Sequence, residues 1–283
     1  AEQERQPGSE REMRPHPQST MKDYAAAGKL RDEVVLITGG DSGIGRAVAI
    51  ACAKEGADVC VAYLDEHDDA EDTKRHVEAA GRRCITVAGD VGDPQFCRQL
   101  VERTVRELGR LDVLVNNAGG VWGARLPGFP AEDWDALVGA HLRGAFLCAK
   151  HASAAMIAAG EGGKIINVAS VFALFGPPGL AHYAAAKAGV LGLTRALAVE
   201  LAPHGIQVNC LVPGFFETEP ALGNTTPARR DEIRRRTPAG RWGTPEELVG
   251  AAVFLASQAS DFVTGTTVVV DGGYTIAERL LHE

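Results

Sequence analysis

The chain has 283 residues, 45% of them hydrophobic, with 37 acidic residues against 29 Lys and Arg and a formal net charge of −8. That length and apolar content suffice for one buried core, and a single domain is the natural count for an α/β chain of this size. A mildly acidic chain without a basic stripe argues against nucleic acid as a partner. With no apolar run of membrane-spanning length and no hydrophobic leader, a cytoplasmic protein that makes no membrane contact is expected.

The first segment, residues 1–29, opens AEQERQPGSEREMRPHPQST, charged and nearly devoid of aliphatic side chains. Such a stretch cannot bury enough surface to fold alone, so it reads as a polar arm, either disordered or packed on the body through Met21 and Tyr24. Residues 30–283 then form the one domain. Val34 to Thr38 is a short apolar run, rich in β-branched residues, that reads as a buried strand, and Ile44 to Ala53 is Ala-rich and helical. Between them Gly39, Gly43 and Gly45 leave a turn without side-chain bulk, where backbone N–H groups can approach a pyrophosphate at the positive end of the helix. The spacing is GxxxGxG and not the dinucleotide fingerprint GxGxxG. A purely structural turn is the alternative.

Further strands are expected at Asp58–Tyr63, Arg83–Val87, Val113–Asn116, Lys164–Ala169, Gln207–Leu211 and Thr267–Val270. Helices fall between them, and this alternation predicts a parallel sheet covered on both faces. Asp93 before Pro94 is an N-cap pattern, and Thr244, Pro245 and Glu247 form a capping-box pattern. Six cysteines, Cys52, Cys60, Cys84, Cys97, Cys148 and Cys210, are irregularly spaced with no CxxC. They read as buried free thiols, and no metal site is expected.

The run HYAAAKAGV sets Tyr183 and Lys187 four residues apart, on one face of a helix. A free tyrosine has a pKa of about 10, so a reactive phenol near neutral pH needs about 4 kcal/mol of preferential phenolate stabilisation. A close cation in a partly dry site supplies part of that. Alone, the spacing also fits a core Tyr beside a surface Lys.

TGGDSGIG at Thr38 to Gly45, NNAG at Asn116 to Gly119, Ser170, YAAAK at Tyr183 to Lys187 and PGFFET at Pro213 to Thr218 together resemble the short-chain dehydrogenase/reductase family, from Leu30 to about Ile276. The first half is similar to bacterial stress-protein-type members with extended N-termini. The second half, with PAGRWGTPEELVGAAVFLAS and VTGTTVVVDGG, looks more like the sugar-acid and 3-oxoacyl reductase branches. The resemblance implies an α/β fold: a Rossmann-type, doubly wound, seven-stranded parallel sheet in the order 3-2-1-4-5-6-7 with helices on both faces and ligand at the carboxyl ends. It implies an oxidoreductase that interconverts a secondary alcohol and a ketone by hydride transfer.

By the same resemblance, Ser170 hydrogen-bonds the reacting oxygen and Tyr183 exchanges the proton. Lys187 holds the nicotinamide ribose and lowers the tyrosine pKa. His141 is the departure, since HLRGAF stands where the family carries an asparagine in a pattern like NLxGxF. A neutral imidazole can take over the asparagine's water relay, and its near-neutral titration would make the rate sensitive to mild acid. An ordinary helix histidine is the alternative. Cofactor contacts are expected from Gly39, Asp41, Ser42, Gly43, Ile44 and Gly45 in the turn, and from Tyr63 and Leu64 after the second strand. Asp90 and Val91 are expected beside the adenine, and Asn117, Ala118 and Gly119 along the cofactor, with Asn116 divided between contact and architecture. Pro213, Gly214, Phe216 and Thr218 lie toward the nicotinamide, with Tyr183 and Lys187.

NAD is the expected cofactor, because Asp41 and Ser42 occupy the turn and Leu64, Asp65 and Glu66 follow Tyr63, where acid repels a 2′-phosphate. The family's usual NAD-selecting aspartate aligns with Tyr63, so NADP use stays open. The substrate is expected to be a sugar, sugar acid or polyol. A 3-oxoacyl thioester reductase, a general carbonyl reductase and a non-catalytic dinucleotide-binding scaffold or sensor are the alternatives. Arg229, Arg230, Arg234, Arg235, Arg236 and Arg241, with Trp122 and Arg125, could read an anion, although the interleaved Asp231 and Glu232 favour a solvated helix. The family likeness and the apolar faces of the helix from Tyr183 to Leu201 imply a homotetramer or homodimer.

Overall fold

All five residues of β1 (Val34–Thr38) are buried, as happens when both faces of a sheet are covered. In the computed structural model, which describes residues 20–277 apart from 23, 124 and 224, β1 lies inside a seven-stranded sheet in the order β3-β2-β1-β4-β5-β6-β7. The other strands are β2 (Asp58–Tyr63), β3 (Cys84–Ala88), β4 (Val113–Asn116), β5 (Gly163–Val168), β6 (Ile206–Pro213) and β7 (Thr267–Val270). Every pairing is parallel, so a crossover must join each strand to the next.

The crossovers are α1 (Gly43–Lys54), α2 (His67–Ala79), α3 (Pro94–Leu108), α4 (Ala131–Val138) running on to α5 (Gly144–Ala159), and α6 (Ala181–Leu201). After β6 come the short α7 (Glu219–Gly223), α8 (Pro227–Arg236) and α9 (Pro245–Ala256). Alternation along β1 builds two cores. Val35 and Ile37 pack with Val48 and Cys52 of α1 and Leu248 and Leu255 of α9. Val34 and Leu36 pack with Leu100 of α3 and Cys148 and Ala152 of α5.

β1, β2, β4 and β7 have the expected bounds, and the ends of β3, β5 and β6 differ from the sequence reading by a residue or two. β6 extends beyond Leu211 because its ladder with β7 continues to Pro213 opposite Val270. Both helix-start signals are realised: Asp93 accepts from the Gln95 N–H at 2.9 Å, and Glu247 completes a box with Thr244. The six cysteines are free and buried. Among the described residues no group of His, Cys, Asp and Glu could hold a metal ion, and no helix is long and apolar enough to cross a membrane.

Residues 1–19 of the polar arm lie outside the described residues. Met21 is buried against Ala47, Ile50 and Ala51 of α1 and Val249 and Val253 of α9. Glu55, fully buried just past α1, gathers the next residues. It accepts from the Tyr24 hydroxyl at 2.5 Å, the Ala27 N–H at 3.0 Å and the Lys29 N–H at 2.8 Å. Burial alone would raise this carboxyl, but the Lys29 N–H, the Tyr24 hydroxyl and the Ala27 N–H outweigh it and hold it at about 2.

Glu55→Gln should therefore destabilise the fold by roughly 2 kcal/mol, about 4–8 °C in thermal unfolding at pH 7 for a chain of this size. A depressed folded-state pKa stabilises above the unfolded value of about 4.3 and the benefit fades as pH falls through the folded one. The gap between variant and wild type should thus narrow from pH 5 to pH 3. Equal melting temperatures at pH 7 would show that Glu55 does not clamp the segment.

Candidate active site

Beyond the carboxyl end of β1 the chain folds back so tightly that side chains are excluded. A Cβ on Gly45 would lie 1.8 Å from the Gly39 carbonyl oxygen, and one on Gly39 would lie 3.0 Å from the Ala118 Cα. Gly39 and Gly43 also hold φ of +63° and +52°, which L side chains adopt at a cost. Ser42 gives α1 no side-chain cap, and a helix start of this kind, with its positive dipole end, suits a pyrophosphate. The cradle fits a dinucleotide.

The next strand end is fastened to this turn. Thr38 Oγ1 accepts from the N–H groups of Asn117 and Ala118, both at 3.0 Å, and Asn117 Nδ2 donates to the carbonyls of Thr38 and Gly39 at 3.1 and 2.9 Å. Asn116 donates to Asn167 Oδ1 at 2.9 Å and the Ala145 carbonyl at 3.2 Å, so its side chain is structural. Thr218 closes over the turn, its Cγ2 3.3 Å from where a Gly43 Cβ would be. Asp41 is buried beside it, and burial pushes its carboxyl up to about 6 against the pull of the Arg46 guanidinium.

Other expected contacts ring the same edge. Tyr63 ends β2 and its hydroxyl lies 2.8 Å from His67 Nδ1, while Leu64 is exposed. Asp90 accepts from the Gly92 N–H at 2.7 Å. Val91 packs so closely on Gly144 that a Cβ there would be 2.8 Å away. Past Pro213, Gly214 donates to the Val270 carbonyl at 2.8 Å, and Phe216 is buried in the sheet-face core.

Tyr183 and Lys187 project from α6 and are 9% and 4% exposed. Ser170 stands at the end of β5, where its hydroxyl accepts from the Phe172 N–H at 3.2 Å. Burial pushes the Tyr183 phenol up to about 12, with a hydrogen bond to Ser170 opposing. Burial likewise pulls the Lys187 ammonium down to about 8. The lowering of the tyrosine expected from Lys187, helped by the charge of an oxidised nicotinamide, is not seen in the protein by itself. Lys187 Nζ lies 5.8 Å from the phenol ring centroid and donates to the Val168 carbonyl at 2.7 Å, so desolvation dominates over the distant cation.

His141 sits in a π-helical segment, Gly139–Arg143, that joins α4 to α5. Such segments add a residue per turn and re-aim a side chain. The ring is buried and packs edge-to-face on Tyr183, with centroids 5.2 Å apart. Nε2 lies 2.7 Å from the Gly120 carbonyl, which fixes the proton on Nε2 and leaves Nδ1 as an acceptor. Nδ1 has no hydrogen-bond partner among the described residues. A cavity of about 10 Å³, lined by His141, Lys187, Asn116, Val168 and Val91 among others, has room for about one water.

Burial, then the Lys187 charge, hold the imidazole well below its ordinary value. The ring stays neutral through mild acid, so the expected sensitivity of the rate to His141 titration is corrected. Sequence reasoning also missed the carbonyls of Gly120 and Val168, and an aromatic wall in which Tyr183, Phe172, Phe215 and Tyr274 follow one another at 6.2, 5.6 and 4.9 Å. The arginine run is drawn into local contacts. Arg229, Arg236 and Arg241 meet Glu232 or Glu247 at 2.7, 3.8 and 2.6 Å, Arg230 binds the Thr225 and Leu222 carbonyls, and Arg234 approaches Asp231 at 3.5 Å.

A family model described as enoyl-(acyl carrier protein) reductase matches residues 39–275. General stress protein 39 of Bacillus subtilis is 44% identical over 273 residues, 96% of this chain and 94% of that protein. The 2-dehydro-3-deoxy-D-gluconate 5-dehydrogenase of Dickeya dadantii is 40% identical over 250 residues, 87% of this chain and 96% of the enzyme. Among solved structures, a gluconate 5-dehydrogenase from Burkholderia cenocepacia in complex with NADP and tartrate superposes with a TM-score of 0.83 at 40% identity, covering 89% of this chain and 99% of that one.

The buried neutral His141 carries a stability signature. An unfolded chain takes up a proton near pH 6.5, whereas the folded one resists until well below that value. Its contribution is complete above pH 6.5 and is lost as pH falls below it. His141→Asn should remove that loss, so its melting temperature should fall less than the wild type's between pH 7 and pH 5. Parallel profiles would contradict the burial argument.

Proposed function

The chain belongs to the short-chain dehydrogenase/reductase family of NAD(P)-dependent oxidoreductases, and on that premise we propose that it interconverts a secondary alcohol and a ketone, with Tyr183 as acid and base. The carrying observation is the grouping of Ser170, Tyr183 and Lys187 beyond the carboxyl edge of the sheet, where Lys187 lines one cavity with Thr38 and Ala118. Gly39 to Gly45 would hold the pyrophosphate and Lys187 the nicotinamide ribose. A bound nicotinamide supplies the hydride acceptor or donor, and in its oxidised form a positive charge.

In the oxidative direction Tyr183 Oη takes the proton of the substrate hydroxyl while Ser170 Oγ donates to the same oxygen. The carbinol hydrogen leaves as hydride, so one proton and one hydride are removed and a ketone remains. Lys187 stabilises the phenolate, and the positive charge of an oxidised nicotinamide would favour the phenolate further against the cost of burial. His141, through its Nδ1 acceptor, orients a water between the lysine and solvent; it is a positioning residue.

A sugar, sugar acid or polyol is the substrate class we favour. The Dickeya and Burkholderia enzymes carry sugar-acid names. NAD is favoured over NADP because Arg46, one residue past Gly45 on α1, is committed elsewhere. It donates to the Asp41 carbonyl and Thr73 Oγ1, both at 2.9 Å, and lies 3.4 Å from the Asp69 carboxylate. We read 30–283 as one domain preceded by the arm 1–29, and the protein as cytoplasmic. Exposed Phe146 and Ile157 on α5, Val199 on α6 and Phe254 on α9 favour pairing into a dimer or tetramer.

Tyr183→Phe keeps the ring and loses the proton. It should lower turnover on a panel of polyols, sugar acids and ketones by a factor on the order of 10³ while NADH binding persists in a fluorescence titration. Most of the turnover surviving in the variant would refute the assignment.

A further inference from the structure

We propose that Cys97 and Cys148 are an oxidisable dithiol: a hydroperoxide converts them to a disulfide, and the new bond weakens dinucleotide binding by displacing Val91. The effect on binding rests on the reading of Gly39 to Gly45 as the pyrophosphate cradle and of Val91 as its neighbour beside the adenine; the disulfide itself does not. Cys97 is in the first turn of α3 and Cys148 is on α5, and the Cys148 thiol donates to the Cys97 sulfur across 3.6 Å. A disulfide holds its sulfurs about 2.0 Å apart. Closure therefore needs an approach on the order of 1.5 Å.

The two thiols are unequal. The hydrogen bond from Cys148 holds the Cys97 thiol below its ordinary value, and the same bond, with burial, pushes Cys148 well above its own. A thiol of lowered pKa at the positive end of a helix is the nucleophile of such a pair. Both side chains are buried, but the turn over Cys97, from Asp93 to Gln95, is exposed. Helix ends open more readily than helix centres, and hydrogen peroxide is scarcely larger than water. In the first step the Cys97 sulfur attacks the peroxide: an S–O bond forms, the O–O bond breaks, and the departing hydroxide takes the Cys97 proton and leaves as water. The Cys148 sulfur then attacks the Cys97 sulfur. The S–S bond forms, the S–O bond breaks, and the second hydroxide leaves as water with the Cys148 proton. Two thiols together lose two electrons, and one peroxide is reduced to two waters.

Val91 ties the pair to the cofactor edge. The Cys97 thiol donates to the Val91 carbonyl at 3.0 Å. Val91 also lies against Gly144, where a Cβ would meet its Cγ2 at 2.8 Å, and Gly144 is one turn before Cys148 on the same face of α5. Arg143 next to it donates to the Gly92 carbonyl at 2.7 Å. Val91 and Gly92 are thus held from α3 by one member of the pair and from α5 by the turn before the other. A disulfide takes the thiol hydrogen away from the Val91 carbonyl and draws α3 and α5 together beneath it, so the loop after β3 shifts. Val91 also lines the cavity shared by His141 and Lys187.

The whole chain is treated with millimolar hydrogen peroxide, its remaining thiols are alkylated, and a tryptic digest is read by mass spectrometry beside an NADH fluorescence titration. Residues 144–150 should be joined to residues 84–98, with Cys84 of the second peptide alkylated. The NADH dissociation constant should rise by roughly threefold to tenfold, the size of one lost hydrogen bond, and dithiothreitol should restore it. In Cys148→Ala, which lacks the sulfur that closes the bond, the same treatment should leave the constant nearly unchanged. The wild-type digest decides the disulfide whether or not that variant folds. Alkyl groups on both Cys97 and Cys148 after peroxide would overturn the proposal, as would joined peptides with unchanged NADH affinity or an equal loss of affinity in Cys148→Ala. Failure of the reduced wild type to bind NADH would instead refute the cofactor cradle and the affinity effect with it, and the digest would still judge the disulfide.

Discussion

Burial of a phenol and an ammonium on one helix face is the constraint around which this site is built. Left in water, Tyr183 and Lys187 would be an ordinary acid and an ordinary base. Enclosed by α6, β5 and the residues after β4, the phenol is pushed up to about 12 and the ammonium down to about 8. Desolvation disfavours charge on either group, so each is brought toward its neutral form. The pair is thereby inert by itself and responsive to any charge placed beside it. On the proposed reading of the glycine turn as a cofactor cradle, such a pair would reserve its acid/base chemistry for the loaded state.

The cradle and the pair are joined by contacts that leave no room for a Cβ. Gly45 meets the Gly39 carbonyl, Gly119 meets the His141 ring and Gly144 meets Val91. Thr38 and Asn117 tie the glycine turn to the end of β4, and Asn116 and Asn167 tie β4 to β5. Displacement of the turn would therefore be felt at His141 and Lys187. The π-helical segment belongs to this arrangement, since it sets His141 over the Gly120 carbonyl.

The fold was largely legible because its signals are local. Buried runs rich in β-branched residues, proline-led helix starts and glycine turns each announce an element through its own chemistry. Sheet order came from a resemblance carried by motifs, with strand ends blurred where a ladder continues past the apolar run, as at Pro213. In the site, Ser170, Tyr183 and Lys187 were readable as residue types, and their environment was not. The lysine's partner is the Val168 carbonyl and the histidine's is the Gly120 carbonyl, and a backbone oxygen leaves no mark in a sequence. His141 could be seen as a departure from asparagine, but its depressed basicity depends on a burial that only packing decides. The partnership of Tyr63 with His67 was likewise hidden, because it spans a strand end and a helix start with no shared periodicity.

The most direct test of the central claim is the ultraviolet titration of Tyr183, taken as the tyrosinate absorbance of wild type minus that of Tyr183→Phe, with and without NAD. The account predicts that Tyr183 in the free protein stays protonated through pH 10, and that with NAD bound it ionises at least about two pH units lower than when free. A phenol that ionises at the same pH in both states would contradict it, because burial could then not be what keeps the pair idle until the cofactor arrives.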